Sequence, residues 1–315
     1  MSKIKICFLG TPEFAVTALK AILEDEHYEV VGVVTQPDRP AGRKLQLTPS
    51  PVKLLAQSRG LKVLSPESLR DNQLIVDAIE TWKAEVAVVV AFGQILNESF
   101  MKLFNFGAVN IHASVLPRWR GAAPIQRAIE AGDLESGVTL QKIVKKLDAG
   151  DVLGIRRCQV PQDMNAQELH DHLSFLGADL LRVELMDYLR GNLAGTSQDE
   201  SQVTYAKKIE KSESEISWKK SAHEIHNKVR AFTMGPGTFV PYQGKKLKIH
   251  RTQLVSLNEK KNDPGTIVEV RSKSFVIQCG QGLIEILEVQ PESRNRISAE
   301  DFLKGQNLTA RTLFQ

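Results

Sequence analysis

The chain has 315 residues, 42% of them hydrophobic and 25% charged, with a net charge of +4. That length suits about two domains, and the composition excludes global disorder. No apolar run reaches the roughly 20 residues of a membrane helix, and the opening MSKIKICFLG reads as a first strand, not a secretory signal. Cys7, Cys158 and Cys279 are odd in number, scattered and without ligand spacing, which predicts reduced thiols, no metal and a cytoplasmic setting. Charge is uneven: residues 206–315 carry +7 and residues 1–205 carry −3. A basic last third hints at a polyanionic partner and fits a solvated basic surface equally well.

In chain order, Lys3–Leu9 reads as a strand, the stretch after GTPEF as a helix to Leu23, and Tyr28–Thr35 as a second buried strand. Thr11, Pro12 and Glu13 suit the helix start. Strand–helix–strand order predicts a βαβ unit of a parallel sheet. Gly10 stands alone at the first turn, which rejects the dinucleotide fingerprint and NAD or FAD with it. Gln36–Pro51 holds four prolines and Gly42 and is expected to lack regular structure. Its Arg39, Arg43 and Lys44 make it a candidate contact to a phosphate backbone as well as a solvated connector.

Val52–Arg59 predicts a helix closed by Gly60, Leu61–Leu64 a short strand, and Leu69–Trp82 an amphipathic helix. Val86–Phe92 has the unbroken apolar pattern of a central parallel strand. Phe106–Ile111 follows as the next strand, Gly137–Val144 and Val152–Val160 as a hairpin-like pair, and Ala166–Tyr188 as a long helix. Arg190–Gln202 is rich in Gly, Ser and acids and reads as a linker. Beyond a helix over Ala222–Phe232, five short strands separated by turn residues predict a small, OB-like barrel. The expected fold is thus α/β: a Rossmann-like, mostly parallel N-terminal sheet with a C-terminal OB-like β-barrel domain. The expected boundaries are 1–189, a linker over 190–205, and 206–315.

Asn110 and His112 sit two apart at a strand end, so their side chains share a face. Open α/β sheets place sites beyond the carboxyl ends of their strands. An amide and an imidazole aimed at one point can donate hydrogen bonds to a carbonyl oxygen that gains negative charge. Asp148, in KKLDAGD, could orient the imidazole and take a proton from an attacking amine. Taken singly, the pair also fits turn or capping residues, and LDAGD fits a plain turn.

Four stretches in this order, FLGTPEFA, TQPDRPAGR, NIHASVLPRWRGAAPIQRAI and LDAGD, resemble the methionyl-tRNA formyltransferases along the whole chain. The resemblance implies transfer of a formyl group from 10-formyltetrahydrofolate, a cosubstrate, to the amino group of methionyl initiator tRNA. It implies Asn110, His112 and Asp148 as catalytic residues, with Ser114, Val115, Leu116 and Pro117 contacting the folate. Arg39, Arg43 and Lys44 fall in the loop that meets the tRNA end, and the C-terminal domain is the tRNA-binding part. Val115 stands where the family usually has Leu, Ala113 where Gly is frequent, and AFTMGPGTF where Asn-Pro-Trp wording is common. No metal, no membrane and a monomer are expected. Two alternatives stay open: the same chemistry on glycinamide ribonucleotide or an amino sugar, and a non-catalytic RNA-binding module.

Overall fold

Thr11, expected to start a helix, instead ties strand ends together: its hydroxyl donates to the Phe92 carbonyl (3.2 Å) and accepts from the Gln36 amide (3.3 Å). The computed structural model describes residues 2–41, 46–70, 72–306 and 308–314. The chain packs as two compact units. One comprises Met1–Gly121, Ser136–Cys158 and His170–Tyr205; the other comprises Ala122–Glu135, Gln159–Leu169 and Ala206–Gln315.

The first half of the chain runs β1 (Ile4–Gly10), α1 (Glu13–Leu23), β2 (Tyr28–Val34), β3 (Arg39–Ala41), β4 (Gln46–Thr48), α2 (Pro51–Ser58), β5 (Val63–Leu64), α3 (Gln73–Glu80), β6 (Val86–Val90), α4 (Glu98–Met101), β7 (Ala108–His112) and β8 (Arg120–Gly121). It continues through α5 (Pro124–Ala131), β9 (Glu135–Lys142), β10 (Val152–Gln159) and α6 (Ala166–Leu189). The large sheet has the order β10-β9-β7-β6-β1-β2-β5. From β7 to β5 all neighbours are parallel, whereas β9 runs antiparallel to β7. β1 therefore leads to β2 on one side and has β6 on the other, the switch point beyond which doubly wound sheets hold ligands. β6 is buried at every position, as its apolar run requires. At Gly32 a Cβ would stand 2.2 Å from the Trp82 ring, so glycine lets the indole lie against β2.

Two expectations are corrected here. The proline-rich stretch does hold regular structure: β3 and β4 pair antiparallel, with Pro40 opposite Leu47. Proline is tolerated because a two-stranded ribbon is all edge. The helix expected over Leu69–Trp82 is shorter, because Asn72 caps it by accepting from the Ile75 amide (3.4 Å).

The remaining elements are β11 (Tyr205–Ala206), α7 (Ala222–Ala231), β12 (Thr238–Tyr242), β13 (Lys245–Ser256), β14 (Ile267–Val270), β15 (Phe275–Gln278), β16 (Leu283–Pro291), β17 (Ile297–Ser298) and α8 (Ala299–Lys304). Of these, β12 to β17 form a separate antiparallel sheet of order β12-β13-β16-β15-β14, with β17 on β16. The five expected strands are all present, and the described ladders run as an open path. Its core gathers Ile225 and Val229 of α7 with Leu247, Ile249, Phe275, Ile284 and Phe302. Ser221 and Glu224 form a reciprocal capping box at the start of α7.

Candidate active site

The site is assembled by strand register. β7 pairs with β9 so that Asn110 faces Gln141 and His112 faces Thr139. Directly opposed residues share a face of the sheet, so these four side chains stand together at the carboxyl end of β7. The chain then leaves β9 and turns back through Asp148, whose φ is +47°. A short Asp tolerates that left-handed conformation better than most side chains.

Asp148 and His112 are brought together. The Asp148 Oδ2 lies 3.7 Å from His112 Nδ1, and both side chains are largely shielded from solvent. Each carboxylate oxygen has its own donor: the Gly121 amide reaches Oδ2 (2.9 Å) and Gln141 Nε2 reaches Oδ1 (3.0 Å). His112 is 6% exposed, and its Nε2 lies 2.8 Å from the Trp119 carbonyl. A carbonyl has no proton to give, so Nε2 carries one, and Nδ1 is the nitrogen left to face the carboxylate. Asn110 is half-buried, and its amide has no hydrogen bond from the described residues. The arrangement thus offers an uncommitted amide donor beside an imidazole–carboxylate pair.

The turn Ser114–Pro117 lies directly after β7. Ser114 and Leu116 are buried in it: the Ser114 hydroxyl donates to the Arg118 carbonyl (2.6 Å), and the Leu116 amide donates to Thr139 Oγ1 (3.1 Å). Thr139 in turn donates to the Ser114 carbonyl (2.7 Å). Val115 and Pro117 keep partial exposure. Of the basic trio, Arg39 lies on β3 and pairs with Glu67 at 2.9 Å, both side chains well exposed. Arg43 and Lys44 lie outside the described residues.

Sequence reasoning missed three residues of this neighbourhood. Gln141 donates to Asp148, Gln198 donates to the Asp148 and Gly150 carbonyls (2.9 and 2.8 Å), and Arg120 donates to Gln198 from Nε and Nη2 (3.1 and 2.8 Å). The usable signal was Gln141, a polar residue inside an apolar strand. Gln198 lay in a stretch read as a linker by composition, and Arg120 among arginines that could equally have faced solvent. Beyond it, Glu200 accepts from Arg120 Nη2 (2.9 Å) and contacts Lys146, and these cations, Lys146 foremost, hold its carboxyl below the usual range.

Residues 3–183 match the family model described as formyl transferase, and residues 208–307 match the formyl transferase C-terminal domain. The chain belongs to the formyl transferase family. Among its relatives is a methionyl-tRNA formyltransferase of Bdellovibrio bacteriovorus, 66% identical over 98% of both chains. Another, from Methylococcus capsulatus, is 46% identical over 98% of this chain and 99% of the relative. Of solved structures, WlaRD, a sugar 3N-formyl transferase crystallised with dTDP and 5-N-formyl-THF, matches with a TM-score of 0.67 at 21% identity, covering 94% of this chain and all of that one. HypX from Aquifex aeolicus in complex with tetrahydrofolic acid matches with a TM-score of 0.62 at 18% identity, covering 96% of this chain and 47% of that one. The likeness to these two is one of fold. Within the family, the mostly parallel sheet and the separate C-terminal β-domain are as the sequence led us to expect.

Proposed function

We propose that this chain transfers the formyl group of 10-formyltetrahydrofolate to the amino group of methionyl initiator tRNA, giving formylmethionyl-tRNA for translation initiation. The observation that carries the reading is the uncommitted Asn110 amide beside the His112–Asp148 pair, in a chain that aligns end to end with methionyl-tRNA formyltransferases.

The folate supplies an electrophilic formyl carbon, and the rest falls to side chains of this protein. Asn110 donates to the formyl oxygen as it gains negative charge; losing such a donor typically raises the barrier by about 2.7–4 kcal/mol. His112, anchored through Nε2 to the Trp119 carbonyl, adds a second donor when Nδ1 is protonated. Asp148 holds that edge of the ring and accepts the proton released by the attacking amine; as the bond from the formyl carbon to the folate N10 breaks, that proton is delivered to N10 and tetrahydrofolate leaves. A free α-amine titrates at about 7.7–8.0 and an ester neighbour lowers that, so the attacking amine is largely neutral near pH 7 and no strong base is needed.

In this reading the turn Ser114, Val115, Leu116 and Pro117 meets the folate, with Val115 and Pro117 offering surface and the other two shaping the turn. Arg39, Arg43 and Lys44 meet the tRNA end. Residues 1–189 serve catalysis, 190–205 connect, and 206–315, with net charge +7, bind tRNA. The enzyme works as a monomer in the cytoplasm.

The test is a formyl-transfer assay with 10-formyltetrahydrofolate and methionine-charged initiator tRNA, run beside elongator methionyl-tRNA, glycinamide ribonucleotide and an amino-sugar nucleotide. Transfer to the initiator alone is expected. Transfer to a sugar or small amine in its place would overturn the acceptor while keeping the chemistry.

A further inference from the structure

Three consecutive residues hold both halves of the pair. The Trp119 carbonyl takes the His112 Nε2 proton, the Gly121 amide holds Asp148 Oδ2, and the Arg120 side chain between them turns to Gln198. Arg120 has no exposed surface. A guanidinium only donates, so the Gln198 amide oxygen must face it and the amide nitrogen must point away. That nitrogen's two protons go to the Asp148 and Gly150 carbonyls (2.9 and 2.8 Å), and Gln141 Oε1, at 3.4 Å, shares one of them. With its oxygen so engaged, Gln141 presents its own nitrogen to Asp148 Oδ1 (3.0 Å). Every donor in the series therefore points one way, from the arginine to the carboxylate. The buried cation sets the orientation of the Gln198 amide and the carboxylate that of Gln141, so neither amide can flip.

Gln198 is itself held in place. Thr196 and Val152 exchange two backbone hydrogen bonds (2.8 Å each), Ser197 Oγ donates to Asp151 (3.2 Å), and Lys142 Nζ donates to the Ala194 carbonyl (2.8 Å). The stretch 194–200 is thus strapped across the Asp148–Asp151 turn.

We infer that Gln198 and Gln141 are positioning residues for Asp148, fixing both the backbone turn and the plane of its carboxylate against His112 under the direction of Arg120. This rests on the formyl-transfer reading above. A carboxylate held by one donor can rotate about its last bond; one held at both oxygens and at its own carbonyl cannot. Misplacement of a reacting group by about 1 Å can cost on the order of a hundredfold in rate.

The test is steady-state and single-turnover formyl transfer by the full chain carrying Gln198→Ala, Gln141→Met, Asp148→Asn and the two double combinations. Each glutamine variant is expected to lower kcat about ten- to a hundredfold, with KM for tRNA and folate within about twofold of the parent. In the Asp148→Asn background each is expected to add less than about twofold, because a residue acting through Asp148 has nothing left to position. Gln198→Glu keeps an acceptor for Arg120 but loses the amide donors, and the same loss of kcat is expected. It also serves if Gln141→Met fails to fold. Unchanged kcat in the single variants, losses confined to KM, full activity of Gln198→Glu, or losses that multiply in the Asp148→Asn background would each overturn the inference. The unmodified chain judges the underlying reading separately. If it formylates a different amine, the acceptor is wrong, and the same cycle on that acceptor still decides the role of the pair.

Discussion

Asn110, His112 and Asp148 stand where elementary chemistry wants a donor, an imidazole and a carboxylate, but their neighbours define what each can do. His112 cannot give its Nε2 proton to a substrate while the Trp119 carbonyl holds it, so the nitrogen left free to act in the proposed reaction is Nδ1. Replacing Asn110 or His112 by Ala, or Asp148 by Asn, is expected to lower turnover at least about tenfold while tRNA affinity measured by filter retention stays within about threefold. Near-normal turnover in all three would remove them from the site. A second residue-scale prediction concerns His226. Burial, the largest influence, pushes its pKa below the ordinary 6.5, against a smaller upward pull from its bond to the Gln162 carbonyl. Its folded pKa is depressed, so the unfolded chain takes up a proton there before the folded chain does. Stability is therefore full above about pH 6.5 and is lost as pH falls through that value toward the folded pKa. Urea unfolding at about pH 7.5 and about pH 5.5 should show a smaller drop for His226→Gln than for the parent; equal drops would exclude this histidine as the cause.

At the scale of elements, register does the work. One residue of slip between β7 and β9 would carry Gln141 and Thr139 to the opposite face and strand Asn110 and His112 without neighbours. The turn after β9 is as exacting, since a Cβ on Gly150 would stand 1.7 Å from the Lys142 carbonyl and the backbone there would have to move. Gly150→Ala is expected to destabilise the chain by about 1–3 kcal/mol, as overpacking does. Because Gln198 also holds the Gly150 carbonyl, turnover should fall with it. A thermal midpoint and kcat both like the parent's would show that the turn tolerates the change. Most of these elements were legible from local pattern: β6 from its unbroken apolar run, β13 and β16 as short strands set off by turn residues. The β3–β4 ribbon was not, because prolines normally mark irregular chain and its pairing depends on a partner seven residues away.

For the whole molecule, the charge division along the chain predicts salt dependence. With +7 on residues 206–315 and the basic residues Arg39, Arg43 and Lys44 near the start, tRNA binding should weaken by on the order of tenfold or more between about 50 and about 200 mM salt. Arg43→Ala should shallow that slope and leave folate binding unchanged. A slope of zero in the parent chain would argue against an electrostatic footprint. Composition, hydrophobic period and four ordered motifs were enough for the α/β class and the separate β-domain, and they singled out Asn110, His112 and Asp148 as candidates, because each is a local property that a linear reading captures. What only the tertiary structure decided is how that trio is held: which imidazole nitrogen is free, and that Gln141 meets the Asp148 carboxylate while Gln198, held by Arg120, meets the Asp148 and Gly150 carbonyls. Gln198 lies 50 residues beyond Asp148 and Gln141 seven before it. No period or spacing along the chain encodes such meetings, because they arise from strand pairing and from a segment whose polar composition suits solvent as well as a buried hydrogen-bond series.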